Sequence, residues 1–156
     1  MHQPFQLSSL IPSGLSVEKV ARDDDTVVVT ARSLAQVVAC PLCGTSSERV
    51  HSRYERRVSD LPCAGRGVLL RVVARRFRCG ASHCRRQIFA ERFDDGVLPA
   101  GSRRTTRLEC IVHHLGLALG GRPGASFAKR LMLPVSNDTL LRVVRRRSYR
   151  PAEPPR

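Results

Sequence analysis

Two close pairs of cysteines restrict the fold of this chain more than any other feature of its sequence. The first pair is Cys40 and Cys43, followed by Gly44, which can take the left-handed conformation where the turn ends. The second pair is Cys79 and Cys84. Four thiolates supplied by two tight turns are what a tetrahedral structural zinc site requires. The second pair has four intervening residues where zinc ribbons more often have two, so free buried thiols or a disulfide are the alternatives. On balance the spacing favours a structural Zn²⁺ bound by all four cysteines.

Other thiols and imidazoles offer weaker candidate sites. Cys63 and Cys110 are interpreted as incidental or buried thiols, because no histidine and acid are placed in the sequence to activate either as a nucleophile. His83 precedes Cys84 and could replace a zinc ligand, but four cysteines leave it no vacancy.

The net charge indicates a polyanionic partner. The chain has 27 Lys and Arg against 13 Asp and Glu, a formal net charge of +14. Arginine binds phosphate oxygens through a planar fork of donors, so nucleic acid is the simplest partner. Genome composition would explain the choice of arginine over lysine, but it would not explain the net charge. No apolar stretch is long enough to span a membrane, and the first residues lack a signal peptide, so we expect a cytoplasmic protein without a membrane partner.

The first part of the chain has the patterns of β-strands. The predicted strands are residues 15–22, 26–32, 49–54, 67–78 and 87–90. Three aspartates at 23–25 are expected to form the first turn, and 67–78 is apolar on both faces, which places it at the centre of a small sheet. The prediction is a loose lead-in at 1–14, a β-rich zinc-binding module at 15–92 and a linker at 93–101.

From residue 102 onward the apolar residues recur at intervals of three and four. The predicted helices are residues 103–119, 125–131 and 137–147. Thr106 is expected to cap the first helix, Ser136 the third, and Phe127 and Leu131 are expected to face inward. Two short helices joined by a tight turn describe a helix-turn-helix module at 102–147; an ordinary helical bundle with a solvated charged face is the alternative. A disordered tail is expected at 148–156. The fold class is therefore α+β: a small β-rich, zinc-ribbon-like module followed by three helices.

The third helix has the composition of a helix that reads a DNA groove. Asparagine can pair with adenine, and arginine can pair with guanine or bind phosphate. The candidate DNA-binding residues are Asn137, Asp138, Thr139, Arg142, Arg145 and Arg146 on this helix, with Arg103 and Arg104 before the first helix.

Several motifs occur in the order found in one transposase family. They are 40–44 (Cys-Pro-Leu-Cys-Gly), 49–54 (Arg-Val-His-Ser-Arg-Tyr), 60–62 (Asp-Leu-Pro), 75–79 (Arg-Arg-Phe-Arg-Cys) with Cys84, 88–92 (Ile-Phe-Ala-Glu-Arg), 103–105, 116–121 and 136–142. The chain resembles the N-terminal region of bacterial insertion-sequence transposases of the ISL-three type. The resemblance implies that Cys40, Cys43, Cys79 and Cys84 bind zinc, and that the zinc and helical modules together bind double-stranded DNA at the terminal inverted repeats of the element.

Two departures from the family pattern affect this interpretation. Met132 stands where the family commonly has glycine after the second helix. The family continues into a catalytic domain whose three carboxylates bind two divalent metals, and we expect this chain to lack that domain and to cut no DNA. Its protein partners would be a second copy of the chain or a full-length transposase. A free-standing zinc-containing transcription regulator is the alternative function.

Overall fold

The computed structural model describes residues 11–133 and 135–148. The strands in this part are β1 (Leu15–Asp23), β2 (Thr26–Ser33), β3 (Val38–Ala39), β4 (Ser46–Ser47), β5 (Val50–Cys63), β6 (Arg66–Arg78) and β7 (Ile88–Ala90). The helices are α1 (Thr106–Leu119), α2 (Gly121–Arg130) and α3 (Asn137–Ser148). The α+β class is confirmed, and no helix in the described part of the chain is long and apolar enough to cross a membrane.

The main sheet is built around β6, as its two-sided apolar pattern predicted. The strand order is β1-β2-β6-β5, and β7 pairs with the far end of β6. β5 and β7 run antiparallel to β6, whereas β2 runs parallel to it. The side chains of Leu70, Val72 and Ala74 are completely buried on one face of β6. Parallel pairing needs a long connection, and here residues 34–65 provide it and contain the first cysteine pair.

The apolar core under this sheet extends into segments that the sequence indicated as lead-in and linker. Ile11 from the lead-in and Leu98 from residues 93–101 are buried in the same cluster as Val58, Leu70 and Val72. Arg56 donates hydrogen bonds to the carbonyl oxygens at positions 99 and 102, at 3.1 and 2.9 Å. The predicted linker is therefore packed against the sheet. The module boundaries themselves stay predictions, and residues 1–10 and 149–156 of the lead-in and tail lie outside the described part.

The two hairpin turns use left-handed backbone conformations. β5 and β6 are joined by Ala64 and Gly65, whose φ angles are 50° and 70°. A two-residue loop with both φ angles positive matches the right-handed twist of the strands it connects. In the first hairpin the turn is shorter than predicted, because Asp23 pairs with Thr26 as the last residue of β1. The turn is formed by residues 24–25.

The predictions for the first two helices need correction. α1 begins at Thr106, and its N-cap is Thr105, whose hydroxyl accepts a hydrogen bond from the backbone N–H of Leu108 at 3.4 Å. The capping box on Thr106 was therefore assigned one residue too late. α2 begins at Gly121, four residues earlier than predicted, because Gly120 (φ 72°) ends α1 and leaves the chain free to start a new helix at once. Phe127 is exposed rather than inward-facing, with 46% of its surface accessible.

Leu131 was likewise predicted to face inward, but it lies just after α2 and is 38% exposed. The backbone N–H of Leu133 bonds to the carbonyl of Ala128 at 3.0 Å, and that of Met132 bonds to the carbonyl of Lys129 at 3.1 Å. These two bonds form the Schellman motif that ends many helices. Met132 occupies its left-handed position with a φ of 56°, the conformation in which glycine is favoured.

α3 agrees with its prediction. The hydroxyl of Ser136 accepts a hydrogen bond from the backbone N–H of Thr139 at 3.3 Å, as an N-cap should. Leu140 and Val143 are buried. The helix packs closely on α1: a Cβ added at Gly116 would lie 2.5 Å from Cγ2 of Val144. Pro134, in the connection between α2 and α3, lies outside the described residues.

A polar network joins the sheet to the first helix. Asp60, 2% exposed at the end of β5, accepts a hydrogen bond from the Thr105 hydroxyl at 2.6 Å and bonds to the Arg107 guanidinium at 2.8 and 2.5 Å. Ser59 exchanges backbone bonds with Arg103 and Thr105 at 2.9 and 3.0 Å. The N-cap of α1 is therefore held by β5 itself.

Candidate metal centre and basic surfaces

The first cysteine pair lies in a short hairpin. β3 and β4 pair in antiparallel register on either side of Cys40 and Cys43. Cys40 donates its N–H to the carbonyl of Thr45, and Gly44 donates to the carbonyl of Cys40, both at 2.9 Å. Gly44 has a φ of 75°, which is the left-handed exit that the sequence predicted. The resulting turn directs two sulfurs to the same side.

The second pair is positioned by the end of the central strand. β6 ends at Arg78, and Cys79 follows it directly, with its N–H bonded to the carbonyl of Gln87 at 2.9 Å. Cys84 donates its N–H to the carbonyl of Ala81 at 3.1 Å, which turns the chain back toward β7. The four intervening residues thus form a wider turn than that of the first pair, but the turn still brings the sulfur of Cys84 close to that of Cys79.

Ser47 connects the two turns. Its hydroxyl donates to the carbonyl of Arg78 at 2.6 Å and accepts from the N–H of Arg49 at 3.2 Å. No sequence motif indicated a role for Ser47, whose only local signal is its position between the first cysteine pair and the next strand.

The four sulfurs converge on one point. Their Sγ atoms all lie within 4.8 Å of one another; Cys43 and Cys79 are 3.5 Å apart, and Cys40 and Cys84 are 3.9 Å apart. A Zn–S bond of about 2.3 Å places tetrahedral sulfurs about 3.8 Å apart, so the cluster has the right size for zinc. All four cysteines are free thiols, and sulfurs this far apart are not disulfide-bonded. The predicted ligand set is brought together, and the disulfide alternative is excluded.

An aromatic pair packs beside the cluster. Phe77 and Phe89 are buried with Cys40, and their stacked rings have centroids 5.9 Å apart. This core is small, with three buried side chains. Zinc would add folding free energy, because the ligands converge only in the folded chain.

Without a metal the cluster holds thiols of very different acidity. The hydroxyl and backbone of Thr45 lower the pKa of Cys43 to about 6. For Cys79, a hydrogen bond to the backbone of Ala81 lowers the pKa, but burial and the neighbouring thiols outweigh it and raise the pKa to about 12. One thiolate is thus favoured and further ones are opposed, because like charges at this distance repel. A divalent cation would remove that repulsion, so the donor set fits Zn²⁺.

Most of the candidate DNA-binding residues line two neighbouring surfaces. A cleft of about 930 Å³ separates residues 95–106 from α3 and is lined by five arginines against two carboxylates. The arginines are Arg103, Arg104, Arg142, Arg146 and Arg147. We call this cleft the basic cleft. Thr139 lies on its wall, and a second depression on α3 is lined by Asp138 and Arg145 together with Arg142 and Arg146.

Asn137 differs from the other candidates. It is half-buried, and its Oδ1 lies only 2.0 Å from where a Cβ at Gly121 would be. Its side chain packs against the start of α2, so it is less accessible than the exposed Arg142, Arg145 and Arg146 of the same helix. Its role in base reading stays a prediction.

Glu109 was missed as part of this surface. It is 8% exposed and forms ion pairs with Arg104, at 2.8 Å, and with Arg146. Two of the candidate phosphate-binding arginines are therefore held by one carboxylate on α1. Its position five residues after Arg104 is the only sequence signal, and the contact with Arg146 depends on how α1 and α3 pack.

The weaker candidates stay outside the metal cluster. His83 is exposed and is not among the converging side chains. Cys63 is exposed at the end of β5. Cys110 lies one helical turn before His114, with its sulfur 3.6 Å from the ring Nδ1, and no carboxylate is bonded to that ring among the described residues.

Comparison with known proteins agrees with this geometry. Residues 36–84 match the family model described as the zinc-finger of transposase IS204/IS1001/IS1096/IS1165. The match begins just before the first cysteine pair and ends at Cys84, so it contains all four converging sulfurs. No curated protein and no solved structure matches the chain significantly. Residues 36–84 therefore resemble the zinc ribbon of these transposases, and Cys40, Cys43, Cys79 and Cys84 form the structural zinc site of this segment.

Proposed function

We propose that the chain is a DNA-binding part of an insertion-sequence transposase and that it recognises the terminal inverted repeats of its element. The observation that supports this most is the match of residues 36–84 to a transposase zinc ribbon whose four cysteines converge. The ribbon is continuous with a sheet that also holds the N-terminus of α1. The zinc ribbon and the helices therefore belong to one packed unit.

The basic cleft is the proposed contact with the DNA backbone. Its five arginines supply bidentate donors for phosphate, and Arg103 and Arg142 have no carboxylate partner among the described residues. α2 and α3, joined by residues 131–136, would act as the helix-turn-helix, with α3 in the major groove. Arg142 and Arg145 lie on its exposed side, where they could reach base edges or phosphates.

The proposed role of zinc is structural. A site with four thiolates has no open position for substrate or water, so the ion would fix the two cysteine turns and perform no chemistry. Cys43 and Cys79, which repel each other as thiolates, would both be deprotonated by the metal. Rigid turns would hold the adjoining end of β6 in a fixed orientation.

We also propose that this chain binds DNA without cutting it. Among the described residues, the four cysteines form the one group of three or more potential metal ligands that converge. Three of the buried or half-buried carboxylates, Asp60, Glu91 and Glu109, are each engaged by arginine. Incubation with Mg²⁺ or Mn²⁺ and end DNA should leave the DNA intact, and strand cleavage by the purified chain would contradict this proposal.

The binding proposal is tested by fluorescence anisotropy with two duplexes of equal length. One has the inverted repeat that flanks the coding sequence and the other has the same bases in shuffled order. Tighter binding to the repeat is expected, and Arg142→Ala should weaken it by about fivefold to a hundredfold, the usual cost of one specific contact. Arg22→Ala is the matched control, because Arg22 is exposed on the edge strand β1. Equal affinity for both duplexes would refute recognition of the repeats.

A further inference from the structure

A second group of arginines lies at the end of the molecule that holds the metal centre. All four have exposed side chains, and the group is Arg49, Arg78, Arg85 and Arg86, here called the zinc-end arginines. Arg49 and Arg78 are bonded through their backbones at 2.9 Å, and the other two follow Cys84 directly. Within the part of the chain that the structure describes, no carboxylate forms an ion pair with any of them, although Glu48 is adjacent and exposed.

One structural role for these arginines is to balance the charge of the metal centre. Four thiolates around one Zn²⁺ leave a net charge of about −2, which two guanidinium groups would offset. The group has four, and each remains in contact with water, where a guanidinium is free to bind phosphate. Charge balance therefore leaves a surplus of donors at this end.

The central strand sets the distance between this end and the basic cleft. Ser59, which pairs with Leu69 of β6, is bonded to Arg103 at the edge of the cleft. Cys79 follows ten residues after Leu69 along an extended strand, a distance of about 33 Å at about 3.3 Å per residue. One turn of B-DNA is about 34–36 Å long. Along β6, the metal centre and the edge of the basic cleft at Arg103 are thus nearly one helical turn apart.

The spacing is rigid. From Leu69 to Arg78, β6 is bonded on one side to β5 and on the other first to β2 and then to β7. A central strand paired on both sides cannot bend or slide without breaking its ladders. Ser59 and Thr105 fasten the cleft end by backbone bonds, so the distance is part of the fold.

We propose that the zinc-end arginines bind the phosphate backbone of the same duplex that occupies the basic cleft, about one helical turn away. This rests on the proposed function, since it takes the cleft as the first DNA contact. The zinc end then contributes affinity and register, because phosphate contacts position a protein without reading bases. The sheet acts as a spacer that fixes which side of the duplex both surfaces meet.

The test is hydroxyl-radical footprinting on a duplex of about 40 base pairs that contains the inverted repeat, long enough for both contacts. The variant is the double substitution Arg49→Ala and Arg85→Ala. Arg78 is left intact because its carbonyl accepts from the Ser47 hydroxyl that connects the two cysteine turns, and Arg86 because its N–H donates to the sulfur of Cys84. The matched control is Lys19→Ala with Arg22→Ala, which removes the same charge from exposed positions on β1.

The wild type and the control should protect two patches about ten base pairs apart, and the variant should lose only one of them. Two lost phosphate contacts lower the salt slope by about 1.8, so between 50 and 200 mM salt the variant should lose about tenfold less affinity than the wild type. Zinc content must stay at one ion per chain in all three proteins, which separates DNA contact from charge balance at the metal.

A single protected patch, or a variant with the salt slope of the control, would overturn the inference while leaving DNA binding by the cleft intact. A variant that loses its zinc together with its second patch would also count against it, because the arginines would then act through the metal. The absence of any protection would refute the proposed function itself.

Discussion

Substitution of Asp60 by alanine should destabilise the protein far more than the loss of an exposed carboxylate on the same strand. Asp60 is 2% exposed and bonds to both the cap hydroxyl of α1 and the guanidinium of Arg107. It also raises the pKa of Arg107, since the carboxylate stabilises the charged form. Without it, the Arg107 guanidinium loses this carboxylate and the Thr105 hydroxyl loses its acceptor at the joint between sheet and helix.

The magnitude follows from how buried the pair is. Removing one partner of a fully buried ion pair costs about 3–5 kcal/mol. Because the side chain of Arg107 is 36% exposed, solvent would compensate part of that loss, and we expect about 2–3 kcal/mol for Asp60→Ala. Urea unfolding of the zinc-loaded protein, followed by circular dichroism, measures this as a lower midpoint at unchanged slope.

Glu55→Ala is the matched control. Glu55 also lies on β5 and pairs with Arg71 at 2.9 Å, but the side chain is 35% exposed and its lowered pKa arises from hydrogen bonds to surface arginines. This change should be close to neutral. If Glu55→Ala destabilised the protein as much as Asp60→Ala, or if Asp60→Ala were neutral, the network would not hold the helix to the sheet.

Three further predictions concern backbone strain, helix packing and thiol acidity. Met132→Gly should raise the unfolding free energy by about 1 kcal/mol, because it relieves a left-handed conformation with φ of 56°; a lower melting temperature would contradict this. Gly116→Ala should lower it by about 1–3 kcal/mol, since the new Cβ would lie 2.5 Å from Val144; an unchanged midpoint would show that α1 and α3 can separate freely. In zinc-free protein, iodoacetamide should modify Cys43 before Cys79 at neutral pH, because the pKa of Cys43 is about 6 and that of Cys79 is about 12. The labelling rate of Cys43 should rise as the pH passes about 6, where its thiolate forms. Peptide mass spectrometry measures the order, and faster labelling of Cys79 would be inconsistent with it.

Local signals in the sequence were sufficient to predict the metal centre and much of the sheet. The position of β6 followed from its apolar residues on both faces, and the left-handed Gly44 followed from the turn that a cysteine pair requires. Ser136 was found as a cap because its signal lies within one helical turn. Each of these features depends on interactions between residues close in sequence, or on the burial of a central strand, which does not depend on which strands lie beside it.

What the sequence did not show depends on contacts between distant segments. Asp60 and Thr105 are hydrogen-bonded although they lie 45 positions apart in the sequence, and no local pattern around either residue predicts this contact. The parallel pairing of β2 with β6 and the contact of Glu109 with Arg146 are likewise set by packing. The start of α2 was missed for a different reason, because a helix that begins at Gly121 has no side-chain cap to indicate it.

X-ray absorption at the zinc edge of the purified protein would show whether the four cysteines bind a metal ion. We expect one zinc ion per chain with four sulfur ligands at about 2.3 Å. These would be the sulfurs of Cys40, Cys43, Cys79 and Cys84, which lie within 4.8 Å of one another. A spectrum with nitrogen or oxygen ligands, or a zinc content well below one ion per chain, would contradict the closed four-thiolate site.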